Sequence, residues 1–248
     1  MKRIFDLTLS LSLLLLTLPL MILCTLLVYL SDFKNPFYIP ERVGLNNKIF
    51  KMYKIRSMVQ GADQSGVDST SSSDARITPI GSFIRKVKVD ELSQLINVVK
   101  GDMSLVGPRP NIKRETDLYT LEEKVLLTIR PGITDFSSVV FSDEGDILAN
   151  YSDPDIAYNQ LIRPGKGKLG VFYVNNNNFL VDIILIFITV LAIISRKYAL
   201  FGLTALLRNI GAPDDLISLA SRMKPLKPEP PLGSQTLVTS RELLGESS

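Results

Sequence analysis

The chain has 248 residues, 46% of them hydrophobic, with a net charge of +3, one cysteine and no histidine. The missing histidine excludes Ser-His-Asp and Cys-His triads and histidine-ligated metals. The lone Cys24 excludes an internal disulfide and a cysteine metal site. Any catalysis must rest on Asp, Glu, Lys, Arg, Ser, Thr or Tyr, any metal should be a hard cation on oxygen ligands, and so small a charge gives no reason to expect nucleic acid.

In chain order, Lys2 and Arg3 precede an uncharged run from Leu7 to Ser31, long enough to cross a bilayer once. Pro19 lies near its middle and removes a helix hydrogen bond, leaving halves of roughly 16–18 Å each. Two readings are open on these residues: a kinked transmembrane anchor, or a helix broken at Pro19 that enters and leaves on the same side. Phe37–Tyr53 has aromatic and β-branched residues around Gly44 and Asn46-Asn47, which predicts a short strand or hairpin leading into Lys54. Residues 61–74 are polar and small and read as a mobile loop.

The segment from Lys88 to Pro110 carries the chemistry. A helix from Asp90 to about Lys100 would place Leu92, Leu95, Ile96 and Val99 on an apolar face and Asp90, Gln94 and Asn97 on the opposite side. Glu91 falls about 100° around from Asp90, so the two acids can take different tasks. The helix N-terminus favours negative charge there, and Asp-Glu is also common in any first turn for that reason alone. Here, however, Arg85, Lys86 and Lys88 precede the pair, Lys100 and Arg109 follow it, and Lys54 and Arg56 in Lys-Met-Tyr-Lys-Ile-Arg-Ser-Met are further candidates. Arg109 between Pro108 and Pro110 is a restrained fork suited to phosphate, in a loop where Gly101 and Gly107 permit tight turns. A second apolar run, Phe179–Ser195, is interrupted by Asp182 and predicts a membrane-surface or buried core helix. Beyond Met223 the Pro-, Ser- and Glu-rich composition predicts disorder.

Several ordered segments together resemble the bacterial sugar transferases, and more narrowly the monotopic phosphoglycosyl transferases that begin glycan assembly on polyprenyl phosphate. They are Lys-Arg-Ile-Phe-Asp (2–6), Glu-Arg-Val-Gly (41–44), Phe-Lys-Met-Tyr-Lys-Ile-Arg-Ser-Met (50–58), Arg-Ile-Thr-Pro-Ile-Gly (76–81), Val-Asp-Glu-Leu-Ser-Gln-Leu-Ile-Asn-Val (89–98), Gly-Asp-Met-Ser-Leu-Val-Gly-Pro-Arg-Pro (101–110) and Arg-Pro-Gly-Ile-Thr (130–134). The resemblance covers roughly residues 1–200 and implies transfer of a sugar 1-phosphate from a UDP-sugar to polyprenyl phosphate with release of UMP. Asp90 would be the nucleophile, Glu91 the Mg²⁺ ligand, and Arg109, Lys54, Arg56 and Arg85 the phosphate-binding cations. It also favours the re-entrant reading of the first helix, with the catalytic part on the cytoplasmic face of the bacterial inner membrane.

The chain departs from the family pattern at Asp135-Phe136-Ser137-Ser138, at Gly170 where relatives often carry an acid, and at Leu18 before the proline. The expected fold is α+β and mainly helical, membrane-associated, with a proline-broken re-entrant helix (1–32), a short strand or hairpin and surface amphipathic helices. The catalytic domain would span 33–200, an amphipathic helix 201–222 and a disordered tail 223–248. Expected partners are a UDP-sugar, polyprenyl phosphate, the lipid bilayer and a homo-oligomer, with no nucleic acid. The rival readings are a catalytically silent scaffold and a transferase that moves the sugar alone and releases UDP.

Overall fold

In a computed structural model describing residues 1–244, the chain is mainly helical with three two-stranded pairings. The first helix, α1 (Lys2–Asp32), runs without interruption through Pro19. The expected division into two helices is therefore corrected: Pro19 withholds one donor, and the helix continues on both sides of it. A helix of this length is ~46 Å long at 1.5 Å per residue. Asp6, Ser10, Met21, Cys24 and Val28 are buried, with half-buried Leu13, Leu14 and Thr17 between them. That spacing of threes and fours makes one stripe along the whole helix.

The stripe lies on the rest of the molecule at both ends. Near the start, Arg3 donates to the carbonyls of Val98 and Val99 at 2.7 and 3.2 Å, and buried Asp6 accepts from the Ser104 hydroxyl at 2.8 Å. Lys2 donates to Asp182 and to the carbonyl of Val106. Near the finish, Met21, Cys24 and Val28 pack with Ile55, Ile84 and Val89, and Asp32 receives a fork of two 2.6 Å bonds from Arg56.

The strands β1 (Phe37–Tyr38), β2 (Glu41–Val43), β3 (Ile49–Lys51) and β4 (Lys54–Ile55) follow. β2 and β3 pair antiparallel as the expected hairpin, turned by Asn46 and Asn47 in left-handed conformation, and β1 pairs with β4. The polar loop 61–74 is gathered around Arg76. Its guanidinium donates to the carbonyls of Ala62 and Val67 at 3.0 and 2.9 Å and pairs with Asp74 at 2.7 Å.

Next come α2 (Pro79–Lys86), α3 (Val89–Leu92) and α4 (Leu95–Lys100). Thr78 caps α2 by accepting from Gly81 N–H, with Pro79 in the first turn. The single helix expected from Asp90 to Lys100 is two short ones, divided by a turn at Ser93-Gln94. The expected faces also change. Asp90, Ser93, Gln94 and Asn97 are buried, whereas Leu92, Ile96 and Val99 are only half-buried. The Asn97 amide explains part of this, donating to the Lys51 carbonyl at 2.7 Å and accepting from Tyr53 N–H at 2.9 Å. The hairpin thus draws the polar side inward, and α1 packs along α4.

β5 (Ser104–Val106) and β6 (Gly132–Thr134) pair parallel, flanking α5 (Lys113–Asp117) in sequence. Gly107 and Gly132 meet so closely that a Cβ on Gly132 would lie 2.1 Å from Gly107 N. This is the physical requirement behind both glycines. The helices α6 (Phe136–Val140), α7 (Glu144–Leu148), α8 (Pro154–Ala157), α9 (Arg163–Asn176), α10 (Phe179–Ile194), α11 (Arg196–Asn209) and α12 (Asp214–Ser221) complete the core, with a π-helical turn at Tyr158–Ile162 before α9. Leu148, Leu169, Leu185, Leu203 and Leu207 are fully enclosed, each contributing roughly 1.5–3 kcal/mol. α10 buries Val181, Asp182, Leu185 and Ile188 and exposes Phe187, Val190, Ile193 and Ile194 on its other side.

Residues 223–244, for which composition predicted disorder, run as an extended strap along the domain. Glu229 N–H donates to the Gln160 carbonyl at 2.9 Å, Thr120 to the Leu232 carbonyl at 2.6 Å and Gln160 to the Val238 carbonyl at 2.6 Å. Arg241 pairs with Asp153 at 2.7 Å. The rest of the expected tail, residues 245–248, lies outside the described residues.

Candidate active site

Asp90 and Glu91 stand in α3, entered through Lys88 with φ 58°, a left-handed conformation for a non-glycine residue. Such a residue costs about 1–2 kcal/mol and reverses the chain between α2 and α3. α3 is only four residues long, so the electrostatics come from side chains more than from a helix dipole.

The two acids take different environments. Glu91 is held by Arg109 in a fork, Nη1 to Oε2 at 3.0 Å and Nη2 to Oε1 at 2.7 Å, with Lys54 Nζ 3.8 Å from Oε1. Burial opposes its charge, but Arg109 and Lys54 outweigh that and hold its carboxyl well below the usual range. Arg109 also donates to the Ile133 carbonyl at 2.7 Å, anchoring the fork to β6, and is held charged by Glu91 against its burial. Asp90 is buried, and its Oδ1 has no hydrogen-bond partner. Burial raises its carboxyl, opposed by Lys54, while neighbouring Glu91 adds to the rise. The pair thus consists of one anchored carboxylate and one under-solvated carboxylate, in contact with the same lysine field.

Of the expected cations, Lys54 and Arg109 converge on the pair. Arg85, in the last turn of α2, acts on Asp90 electrostatically, and no hydrogen bond or ion pair engages it among the described residues. Arg56 is not brought to this crevice. Its guanidinium is buried and committed to Asp32 and to the Asn35 carbonyl at 2.7 Å, tying the end of α1 to β4. Pro19 lies on an exposed side of α1, away from the stripe that faces the domain.

Two residues were missed. Arg42 in β2 is half-buried; burial lowers its basicity, opposed by the charges of Tyr38 and Glu115 and aided by Arg109. Its place in Glu-Arg-Val-Gly was the available signal. Gln94 is fully buried with neither amide atom partnered, one turn beyond Asp90, and nothing in its residue type announced that.

The departures at 135–138 and 170 have local causes. Asp135 caps α6, accepting from Ser138 N–H at 2.7 Å and from the hydroxyls of Ser137 and Ser138. A Cβ on Gly170 would lie 2.7 Å from Leu126 Cδ2, so Leu126 occupies the space a side chain there would need. Among the described residues no group of three His, Cys, Asp or Glu side chains gathers as a metal site.

Residues 1–196 match the bacterial sugar transferase family, and the chain belongs to it. It is 33% identical over 180 residues to the UDP-N-acetylgalactosamine-undecaprenyl-phosphate N-acetylgalactosaminephosphotransferase of Aeromonas hydrophila, an alignment covering 71% of this chain and 40% of that protein. It is 35% identical over 191 residues to the uncharacterized sugar transferase EpsL of Bacillus subtilis (strain 168), covering 77% and 85% of the two chains. Against the undecaprenyl-phosphate galactose phosphotransferase of Salmonella typhimurium, identity is 39% over 149 residues, covering 54% of this chain and 31% of that one. The chain therefore spans less than half the length of the first and third relatives and most of the second.

Proposed function

We propose that the protein is a phosphoglycosyl transferase that moves a sugar 1-phosphate from a UDP-sugar to polyprenyl phosphate, the step that begins assembly of a cell-surface glycan. The observation that carries this is the divided acid pair: Asp90 buried with a free oxygen, beside a Glu91 neutralised by Arg109 and Lys54. Phosphoryl transfer depends on positioning and charge neutralisation more than on protein acid-base chemistry, which suits a site without histidine.

An Asp90 oxygen attacks the β-phosphorus, and the bond from that phosphorus to the bridging oxygen breaks. UMP leaves with the bridging oxygen and its electron pair, and an acyl phosphate joins Asp90 to the sugar phosphate. A polyprenyl phosphate oxygen then attacks the same phosphorus. This breaks the Asp90–phosphorus bond, restores the carboxylate and forms the diphosphate-linked sugar. Both displacements balance without a proton donor. Arg109, Lys54, Arg85 and Arg42 bind phosphate oxygens, and the Ile133 contact keeps the Arg109 fork aimed.

The donor set fits a Mg²⁺ bound partly through the substrate. Such an ion commonly uses one or two carboxylates plus phosphate oxygens and water. Glu91, on the lone pairs that Arg109 leaves free, and the unpartnered Asp90 Oδ1 would hold it. There it would supply neutralisation of diphosphate charge.

The same reading places α1 in one leaflet of the bacterial inner membrane, on the cytoplasmic face, with both ends on the domain side. Its support is that Lys2, Arg3 and Asp6 at one end and Asp32 at the other all bond to the same domain. The helix is long and apolar enough to cross, with a mean hydropathy of 2.6. A crossing would have to detach one of those ends. Leu15 and Leu16 on α1, Phe83 on α2, Phe187 and Ile194 on α10 and Phe201 on α11 are the exposed apolar residues that would meet lipid.

The test is UMP release by the full chain in nanodiscs with Mg²⁺, polyprenyl phosphate and a panel of UDP-sugars. Without acceptor, intact-protein mass should rise by one sugar phosphate, and Asp90→Asn should abolish both signals. Release of UDP would overturn the reading in favour of transfer of the sugar alone.

A further inference from the structure

The strap of residues 223–244 lies beyond the part of the chain matched to the family and supplies no residue to the candidate site. It leaves α12 at Arg222, in left-handed conformation, and passes through exposed Pro225 and Pro228 before its backbone bond to the domain at Glu229. Prolines and the residues before them are confined to extended backbone, so this stretch acts as a stiff tether. Val238 and Leu244 are buried, but the ion pairs Lys168–Glu229 and Arg241–Asp153 are both partly in water. Such pairs contribute little, so the strap opens at less cost than the core beneath it.

The end of the strap reaches loop 61–74. This loop is closed at its base, where Met58 bridges Ile77 and Val59 N–H donates to the Arg76 carbonyl at 2.8 Å. Its tip is held from outside. Buried Asp155 accepts Ser69 N–H on Oδ1 at 2.7 Å, and its Oδ2 lies 3.4 Å from Arg241 Nη2. One carboxylate therefore serves both the loop and the strap. Arg241 also donates to the Gly66 carbonyl at 3.4 Å and pairs with Asp153, whose carboxylate caps α8. On its other side the tip pairs through Asp68 with Arg114 of α5. α5 begins at Lys113, just after the segment 109–112, in which the Asn111 carbonyl accepts Val43 N–H at 2.9 Å.

We propose that the strap is a latch. Docked, its Arg241 holds the tip of loop 61–74 against α8, and through the Asp68–Arg114 pair it steadies α5 and the segment that carries Arg109. Released, it loosens the loop and α5 together. The latch stands on these bonds alone, whereas its effect on donor binding rests on the phosphoglycosyl transfer reading.

Hydrogen exchange on the full chain in nanodiscs tests it. Arg241→Met keeps the aliphatic stem and removes the ion pairs; peptides across 61–74 and 113–118 should exchange about tenfold faster, and those of α9 and α10 at the parental rate. Arg241→Lys, which keeps a charge, should fall between the two. Gln160→Leu removes the bond to Val238 and leaves Arg241 in place, and it should speed the same two segments about threefold. Faster exchange confined to the strap overturns the latch, and so does an equal rise in α9 and α10, which would be general destabilisation. In Arg241→Met, KM for the UDP-sugar should rise about threefold with kcat within about twofold. A parental KM overturns the link to Arg109. The latch and the reaction fail separately. UMP release with parental exchange in 61–74 removes the latch and keeps the reaction, whereas UDP release with faster exchange there removes the reaction and keeps the latch.

Discussion

Two polar clusters, one at the foot of α1 and one around Asp90, are built on opposite principles. At the foot of α1, Lys2, Tyr173 and Asp182 close on one another, with the Tyr173 hydroxyl 2.5 Å from Asp182 Oδ1 and 3.2 Å from the Val106 carbonyl. Asp6 is likewise occupied, by Ser104 and Leu105 N–H. Around Asp90, by contrast, Oδ1 and both Gln94 amide atoms have no partner, and Arg85 is not paired among the described residues. A satisfied buried network holds a structure, whereas orphaned buried atoms cost about 1–3 kcal/mol each and persist where a ligand or water completes them. The first cluster fastens a helix, and the second keeps buried polar atoms without partners, as the proposed reaction requires.

The largest expected effect follows from that openness. Asp90→Asn should reduce UMP release by on the order of 10⁴-fold or more, yet leave the protein as stable as before or more so, because it removes a buried charge. Thermal unfolding in nanodiscs checks the second half, and a large loss of stability would move Asp90 into the structural class. On the proposed reaction, the raised Asp90 carboxyl should place the acid limb of the parent's activity above the usual carboxylate range, since a protonated Asp90 would not attack.

Next in size is Arg109→Lys, expected to lower kcat about 10²-fold. A lysine offers no fork to Glu91, so the Glu91 carboxyl should titrate closer to its ordinary value. Carboxyl NMR of Glu91 measured alongside kcat separates this from simple loss of phosphate binding, and an unmoved Glu91 carboxyl would show that Lys54 alone holds it ionised.

Lys2→Met should do the reverse of Asp90→Asn. It strands buried Asp182 and should cost about 3 kcal/mol of stability, with kcat per folded molecule changed less than threefold. Lys2→Met combined with Asp182→Leu should recover most of the loss, because an apolar pair can replace a buried ion pair. Chemical unfolding of the single and double variants measures this. A fall in kcat as deep as that of Arg109→Lys would abolish the distinction between the two clusters.

Sequence patterning reached the hairpin, the apolar first helix and the Asp90, Glu91, Lys54 and Arg109 set, because each is written in short-range spacing. It buried Leu95 correctly but left the polar side of α3–α4 in solvent, because amphipathic logic assumes that polar residues seek water, whereas Asn97 finds its partners on the hairpin about 45 residues earlier. Arg56 looked equivalent to Lys54 two residues before it, because period-two alternation would keep both on one face, but β4 ends at Ile55 and Arg56 is committed to Asp32 and the Asn35 carbonyl. Loop 61–74 looked mobile because the residues that hold it, Arg76, Arg114, Gly145 and Asp155, all lie beyond its end. The strap looked disordered because its contacts are backbone carbonyls and a few anchors such as Val238 and Leu244, which composition does not register.

Glu115 belongs to neither class, and its small effect is the sharpest probe of the boundary between them. Burial, with nearby Asp68, raises its carboxyl to about 7, while Lys166 and Arg42 pull it down and Glu144 adds to the rise. Between its ordinary value of 4.5 and about 7 the folded chain keeps a proton that the unfolded chain has released. Stability from this group therefore falls as pH rises through that window and is level above it. Glu115→Gln removes the slope, so the variant should match the parent near pH 4 and exceed it by roughly 1–2 kcal/mol at pH 8, after discounting for partial contact with water. Denaturant midpoints at the two pH values measure the difference. A difference that does not depend on pH would mean that Glu115 is as well compensated as Asp182, and it would join the fastening cluster instead of the open one.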